Sequence, residues 1–180
     1  MPAPRGIFGK VKGPRGAGGN LLAFALPGVD HSAMAQLTVP SPFGPLTLVE
    51  TGGVLRRVEW GGGVSDPSPL LDEAARQLAA YFAGGRGGFD LPFDWGDGLN
   101  ARVRRAMAAI PLGETRTYGQ IAHAVGAPAQ AVGQACGANP LPILIPCHRV
   151  VGTHGFGGFS APGGVETKAA LLRFEGALLI

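Results

Sequence analysis

The residues best suited to chemistry are Cys147 and His148, side by side in the segment Pro146-Cys147-His148-Arg149-Val150. The chain holds 2 cysteines in all, so a thiol next to an imidazole is a distinctive pairing. A thiol becomes a nucleophile as its thiolate, and a neighbouring imidazole is a common way to populate that form near neutral pH. The apolar run 141–145 ahead of the segment has the composition of a buried strand. Pro146 fixes its own φ and offers no backbone donor, so such a strand stops or turns there. Cys147 is therefore expected at an exposed corner, outside any ladder. Taken alone, a Cys-His pair is more often packing than catalysis, because cysteine is among the most buried residue types. The elements that position the pair have to decide.

Those elements fall into two patterned regions behind an unpatterned start. Residues 1–35 are dense in Gly, Pro and isolated basic side chains and read as a flexible N-terminal extension. Met34, which opens the first patterned stretch, is a candidate start of translation. Within 36–97, short β-rich runs at 37–39, 46–50 and 54–60 are separated by Pro40-Ser41-Pro42 and Thr51-Gly52-Gly53, and the last two runs read as a hairpin. Leu71, Ala74, Ala75, Leu78 and Phe82 then recur at helical spacing, and Gly84-Gly85 stops that helix. No reactive cluster falls in this region, which is expected to be an α/β scaffold domain. Residues 89–98, with Pro92, Gly96 and Gly98, look like a linker.

In the second domain, 98–180, Leu99, Val103, Ala106, Met107 and Ile110 share one helix face, with Arg102, Arg104 and Arg105 largely opposite. Thr117 is a good N-cap for a short helix carrying Tyr118, Ile121, Ala122 and Val125, and Gly126 suits its C-terminal cap. A second short helix is expected from about 129 to 135. Two short helices joined by a Gly-containing turn make either a helix-turn-helix or an ordinary αα-hairpin. Val132, Ala135 and Cys136 would face inward, leaving Gln130, Gly133, Gln134 and Gly137 as an outward surface with little bulk. Near the C-terminus, Lys168, Leu171, Leu172 and Glu175 share a helical face. The expected fold class is α/β (α+β): a small sheet-plus-helix domain, then a mainly helical domain with the helix pair and the cysteine.

Composition bounds the function classes. With 180 residues, 46% of them hydrophobic, the chain can build a real core, and 31 glycines and 16 prolines make it rich in turns. No apolar run approaches the roughly 20 residues that cross a bilayer, no secretory leader is apparent, and two cysteines are too few for a disulfide framework. A soluble protein of a reducing, cytoplasmic compartment is expected. The net charge of +3 divides into +3 over 1–33, −4 over 34–97 and +4 over 98–180, so the C-terminal region is the one suited to a polyanion. The four histidines (His31, His123, His148, His154) and two cysteines lack the paired spacing of a zinc site, so no metal is expected.

Taken in order, four segments resemble the O6-alkylguanine-DNA alkyltransferases. They are Gly113-Glu114-Thr115-Arg116-Thr117-Tyr118-Gly119-Gln120-Ile121-Ala122, Ala131-Val132-Gly133, Gly137-Ala138-Asn139-Pro140 and Ile145-Pro146-Cys147-His148-Arg149-Val150. The run Ser41-Pro42-Phe43-Gly44-Pro45-Leu46-Thr47-Leu48 is similar to the opening of that family's N-terminal domain, so the resemblance spans residues 36 to 176 or so. It implies DNA repair by stoichiometric transfer of an alkyl group from O6-methylguanine onto the protein's own cysteine, and leaves open whether O4-methylthymine is a second substrate. A thiolate is the soft nucleophile that displacement at an alkyl carbon needs, and the thioether formed has no easy leaving group. The target lies inside the duplex, so the nucleotide has to be flipped out.

Carried over motif by motif, the resemblance implies that Cys147 accepts the alkyl group, that His148 acts as base through a water, and that Glu175 orients His148. Asn139 would brace the junction between the second helix and the cysteine segment. Tyr118 would donate a proton or hydrogen bond to the departing guanine and crowd the DNA backbone during flipping. Ser160, on the loop after 155–158, would bind O6, and the carbonyls of Cys147 and Val150 would read the guanine amino group. Gln130, Gly133 and Arg149 complete the expected substrate- and DNA-binding set. The family usually has an intercalating arginine where this chain has Gln130, which predicts weaker and less salt-sensitive DNA binding. Arg104 stands where tryptophan is frequent. The implied partner is double-stranded DNA carrying alkylated bases, with no cofactor, no membrane and no obligate protein partner, and the protein is expected to be a monomer. The alternative is a non-enzymatic sensor of alkylated DNA with the same fold, against which the presence of Cys147 argues. A sequence-specific regulator and an unrelated thiol hydrolase are weaker alternatives.

Overall fold

The structure is a computed structural model of the chain and describes residues 34–178 apart from 64 and 86. Of the extension expected over 1–35, residues 1–33 lie outside the described residues, and Met34 and Ala35 belong instead to the first strand, where they pair with Thr51 and Glu50. Three β-rich runs form an antiparallel meander of β1 (Met34–Val39), β2 (Leu46–Thr51) and β3 (Val54–Trp60). Gly52 and Gly53 close the β2–β3 hairpin with φ of 65° and 76°, a conformation that L side chains rarely adopt. The first strand starts at Met34 because Met34 and Ala35 pair with Thr51 and Glu50. Helix α1 (Pro69–Phe82) has Pro at its first position, and its Ser68 cap accepts from the Leu71 N–H. Leu71, Ala74, Leu78 and Tyr81 form its buried face.

Residues 89–98 are not a slack linker. The Leu55 N–H donates to the Pro92 carbonyl at 2.8 Å, and the Asp94 N–H donates to Leu55 at 2.9 Å, which adds a short parallel edge to β3. The buried amide of Gln77 holds both backbone groups of Asp90, at 2.9 and 3.0 Å. A glycine- and proline-rich stretch can dock as well as drift when neighbours offer backbone partners.

The second half runs α2 (Gly98–Ala108), β4 (Arg116–Thr117), α3 (Tyr118–Val125), α4 (Ala129–Gly137), a 3₁₀ turn Cys147–Arg149, β5 (Val150–Val151) and α5 (Val165–Phe174). Thr117 and Gln120 make a reciprocal capping box for α3, and Gly126 ends it at φ 65°. Residues 126–128 then lead into α4, giving the connectivity of a helix-turn-helix. The run 141–145 is a buried turn and not a strand. The Ile145 N–H donates back to Leu141 at 2.8 Å, and Ile143 takes φ 70°, a strained value for a β-branched residue. Pro140, Pro142 and Pro146 lack ladder donors, so the apolar composition there reports burial alone. One hydrophobic cluster joins Val39, Leu48 and Leu78 to Val103, Val132, Ile145 and Leu171, so both halves share a core. Among the described residues no helix is long and apolar enough to cross a membrane.

Candidate active site

Cys147 opens the 3₁₀ turn and is 9% exposed, buried where an exposed corner was expected. The turn is folded into the core beneath α5, and the thiol side borders a cavity of about 490 Å³. Gly133, Cys136 and Gly137 of α4 form one wall of this cavity, and Gly158, Phe159 and Ser160 form another. The third wall comes from Arg57, Val58 and Trp60 of β3, a region expected to be scaffold alone. The Val58 N–H donates to the Pro140 carbonyl at 2.8 Å and so fixes that wall against the cysteine segment.

The residue after Cys147 belongs to a fully buried ionisable cluster. His148 Nε2 is 2.8 Å from Glu175 Oε1, and both side chains are inaccessible to solvent. Burial would raise the Glu175 carboxyl, but hydrogen bonds from His148 and Arg149 and the positive charge of Arg149 overcome it and hold the group down at about 2. Burial pushes the His148 imidazole below its ordinary value, more than Glu175 raises it. A neutral imidazole facing an ionised carboxylate must carry its proton on Nε2, which donates to Glu175. Nδ1, buried without a protein partner, is thereby left as the basic nitrogen. Burial also pushes the Cys147 thiol up, opposed by Asn139, by the Lys168 charge and by backbone N–H groups. A thiol held neutral at rest needs a base before it can act as a nucleophile.

Arg149 does not reach a DNA-facing surface. It is 2% exposed, pairs bidentately with Glu175 through Nε at 2.8 Å and Nη2 at 2.7 Å, and donates to the Ile110 carbonyl at 2.6 Å. A buried carboxylate next to a neutral imidazole needs a counter-charge, and Arg149 supplies it. Arg104 is likewise inside, where the sequence pattern put it on the outer face. Its guanidinium donates to Trp95 at 3.0 Å and to Ala138 at 3.3 Å, tying the 94–95 segment to the end of α4.

Two buried polar residues that contact the site were given no role in the sequence reading. Tyr81 of α1 donates to Glu175 Oε1 at 2.7 Å, from 94 residues away in the chain. Lys168 of α5 is fully buried, donates to the carbonyls of Val150 at 2.6 Å and Gly158 at 3.2 Å, and lies 5.8 Å over the Tyr118 ring. A Lys on an otherwise apolar helix face was the available signal for the second. Nothing local marked the first.

Asn139 donates to Ile145 at 2.8 Å and accepts from the Leu141 N–H at 3.2 Å, so its side chain spans the turn that leads to Cys147. Tyr118 lines the cavity at the start of α3, its hydroxyl pushed up by burial and by Cys136 and Cys147. A Cβ on Gly157 would lie 2.8 Å from that ring, so only glycine lets the 155–158 segment close on Tyr118. Ser160 faces the cavity with its hydroxyl 3.3 Å from the Gly137 carbonyl. The carbonyls of Cys147 and Val150 each already accept one donor, from the Val150 N–H and from Lys168. Gln130 is exposed on the first turn of α4, and no atom lies within 4 Å of a Cβ built on Gly133, so a groove could approach that helix closely.

Fold and site together define a class in which a Cys-His segment backed by a buried carboxylate borders a cavity beside a helix-turn-helix. The family model described as "6-O-methylguanine DNA methyltransferase, ribonuclease-like domain" matches residues 34–95, and the model for the "DNA binding domain" of the same methyltransferase matches 98–177. The methylated-DNA–protein-cysteine methyltransferase of Mycobacterium tuberculosis is 43% identical over 150 residues, covering 77% of this chain and 90% of the relative. The constitutive methylated-DNA–protein-cysteine methyltransferase of Bacillus subtilis is 39% identical over 153 residues, covering 77% and 93%. The crystal structure of the M. tuberculosis protein in complex with DNA superposes with a TM-score of 0.69 at 44% identity, covering 79% of this chain and 92% of that one. The chain belongs to the 6-O-methylguanine DNA methyltransferase family.

Proposed function

We propose that this protein repairs double-stranded DNA by moving the alkyl group of O6-methylguanine onto Cys147, once per molecule. The observation that carries the reading is the buried His148–Glu175 hydrogen bond in the same turn as Cys147, which borders the 490 Å³ cavity beside α4. His148 Nδ1 takes the thiol proton through a bridging water, and the imidazolium formed is stabilised by Glu175. The sulfur forms a bond to the alkyl carbon as the carbon–O6 bond breaks, and that electron pair passes to the purine. Tyr118 donates a hydrogen bond to the departing base, and its raised pKa suits donation without full ionisation. The thioether has no route back to thiol, so each molecule reacts once.

Supporting roles follow from position. Asn139 braces the turn, Lys168 keeps a positive charge near the sulfur, and Arg149 neutralises Glu175. Ser160 and the Cys147 and Val150 carbonyls contact the flipped base, the carbonyls through their second lone pairs. Gln130 fills the stack that the base leaves, and Gly133 admits the DNA backbone. The protein acts as a cytoplasmic monomer on nucleoid DNA, its N-terminal half built on 36–97 and its DNA-facing half on 98–180. Incubation with excess O6-methylguanine duplex, followed by mass analysis, tests the reading. One methyl group should appear on the Cys147 peptide and be absent in Cys147→Ala. Tight binding with no mass gain would instead identify a sensor, and continued product formation a cycling enzyme.

A further inference from the structure

We infer that Tyr81 is a positioning residue for alkyl transfer: its hydroxyl fixes the Glu175 carboxylate for His148 and so makes the N-terminal half part of the proton path. This inference rests on the transfer chemistry proposed above. Glu175 Oε1 receives three donors, His148 at 2.8 Å, Arg149 Nη2 at 2.7 Å and Tyr81 at 2.7 Å. Two of these come from the 3₁₀ turn itself, and Tyr81 comes from α1, across the shared core. Its ring is clamped by Phe82, Phe89 and Phe174, with centroids at 5.0, 5.6 and 5.6 Å, so the hydroxyl has a fixed address. Phe174 immediately precedes Glu175, and the same aromatic frame therefore locates donor and acceptor together. A tyrosine that is 1% exposed and buried against a carboxylate has to be hydrogen-bonded, but an apolar phenylalanine would fill this frame without that requirement.

The chemical consequence has a sign. A neutral donor on Oε1 disperses carboxylate charge and weakens the pull on the His148 proton. Removing it concentrates charge on the oxygen that faces His148, so the imidazole holds a second proton more tightly and is a worse acceptor near neutrality. The charged and titratable groups facing His148 are Glu175, Arg149 and Lys168, and those facing Glu175 are His148, Arg149 and Tyr81. Only Tyr81 changes in the experiment.

The test is single-turnover methyl transfer from an O6-methylguanine duplex to Cys147, followed through the acid limb of its pH profile. Wild type, Tyr81→Phe and Phe82→Leu are compared, the last loosening the same aromatic frame without touching the carboxylate. Phe retains the ring at 81, so Tyr81→Phe keeps the packing. The expected result for Tyr81→Phe is an acid limb displaced upward by about half a pH unit to one unit and a plateau rate lowered about threefold to tenfold. DNA affinity should be unchanged, and the limb of Phe82→Leu should stay with that of wild type. A Tyr81→Phe profile that superimposes on wild type overturns the inference, as does a rate loss that merely follows a lowered melting temperature with the limb unmoved. Wild-type protein that acquires no methyl group overturns the underlying transfer reading instead.

Discussion

At the scale of residues, the reactive pair was legible and its electrostatic support was only partly so. Cys147 and His148 are neighbours in the chain, so pattern could find them, and Glu175, which shares a helical face with Lys168, was singled out by the resemblance. Arg104 was misplaced because periodicity cannot distinguish an arginine paired inside from one solvated outside, and Arg149, assigned to the DNA-binding set with the resemblance, has a buried partner 26 positions away. Tyr81 was invisible because its partner is 94 positions away. The charges also set an acid sensitivity. His148 is depressed below 6.5 when folded, so the unfolded chain takes up a proton there and stability falls as pH drops below about 6.5. Glu175 titrates at about 2 when folded against 4.5 unfolded, so its contribution, roughly 3 kcal/mol, is intact above 4.5 and is lost as pH falls toward 2. The two effects have the same sign. Urea unfolding as a function of pH should show stability declining from about 6.5 and more steeply below 4.5. Glu175→Gln should be less stable at neutral pH, because it strands the buried Arg149, and should show a flatter acid slope.

At the scale of elements, caps and helical spacing were readable, and the proline-rich connections were not. Thr117, Gln120 and Gly126 announce α3 through chemistry local to its ends. The turn 141–145 and the docked segment 89–98 take their shape from distant backbone partners, Val58 for Pro140 and Leu55 for Pro92. No local pattern carries that information. Helix α4 makes the element-scale prediction. Its outward face combines exposed Gln130 and Gln134 with the open Gly133, and it holds no cation. Gln130→Arg should tighten duplex binding at low salt and steepen the dependence of log K on log salt by about one unit, as expected for one added phosphate contact. Titrations at several salt concentrations measure this. An unchanged slope would remove Gln130 from the DNA interface.

At the scale of the whole molecule, the division into a scaffold half and a reactive half is a division of sequence more than of energy. A hairpin strand walls the cavity, Tyr81 of α1 reaches the carboxylate, and one hydrophobic cluster runs from Val39 to Leu171. Two halves that share a core and a hydrogen-bond network should not melt separately. Helix α1, in the first half, buries Leu71, Leu78 and Tyr81 in that core, and α5, in the second, buries Leu171 and Leu172. Amide hydrogen exchange of α1 and of α5, followed with rising urea, therefore reports the two halves separately. The slowest amides of both helices should converge on one unfolding free energy and one urea slope, since neither helix can expose its buried face without opening the shared core. Exchange of α5 at lower urea than α1 would mean that the reactive half opens by itself. Coincident curves would mean that the two halves open as one cooperative unit.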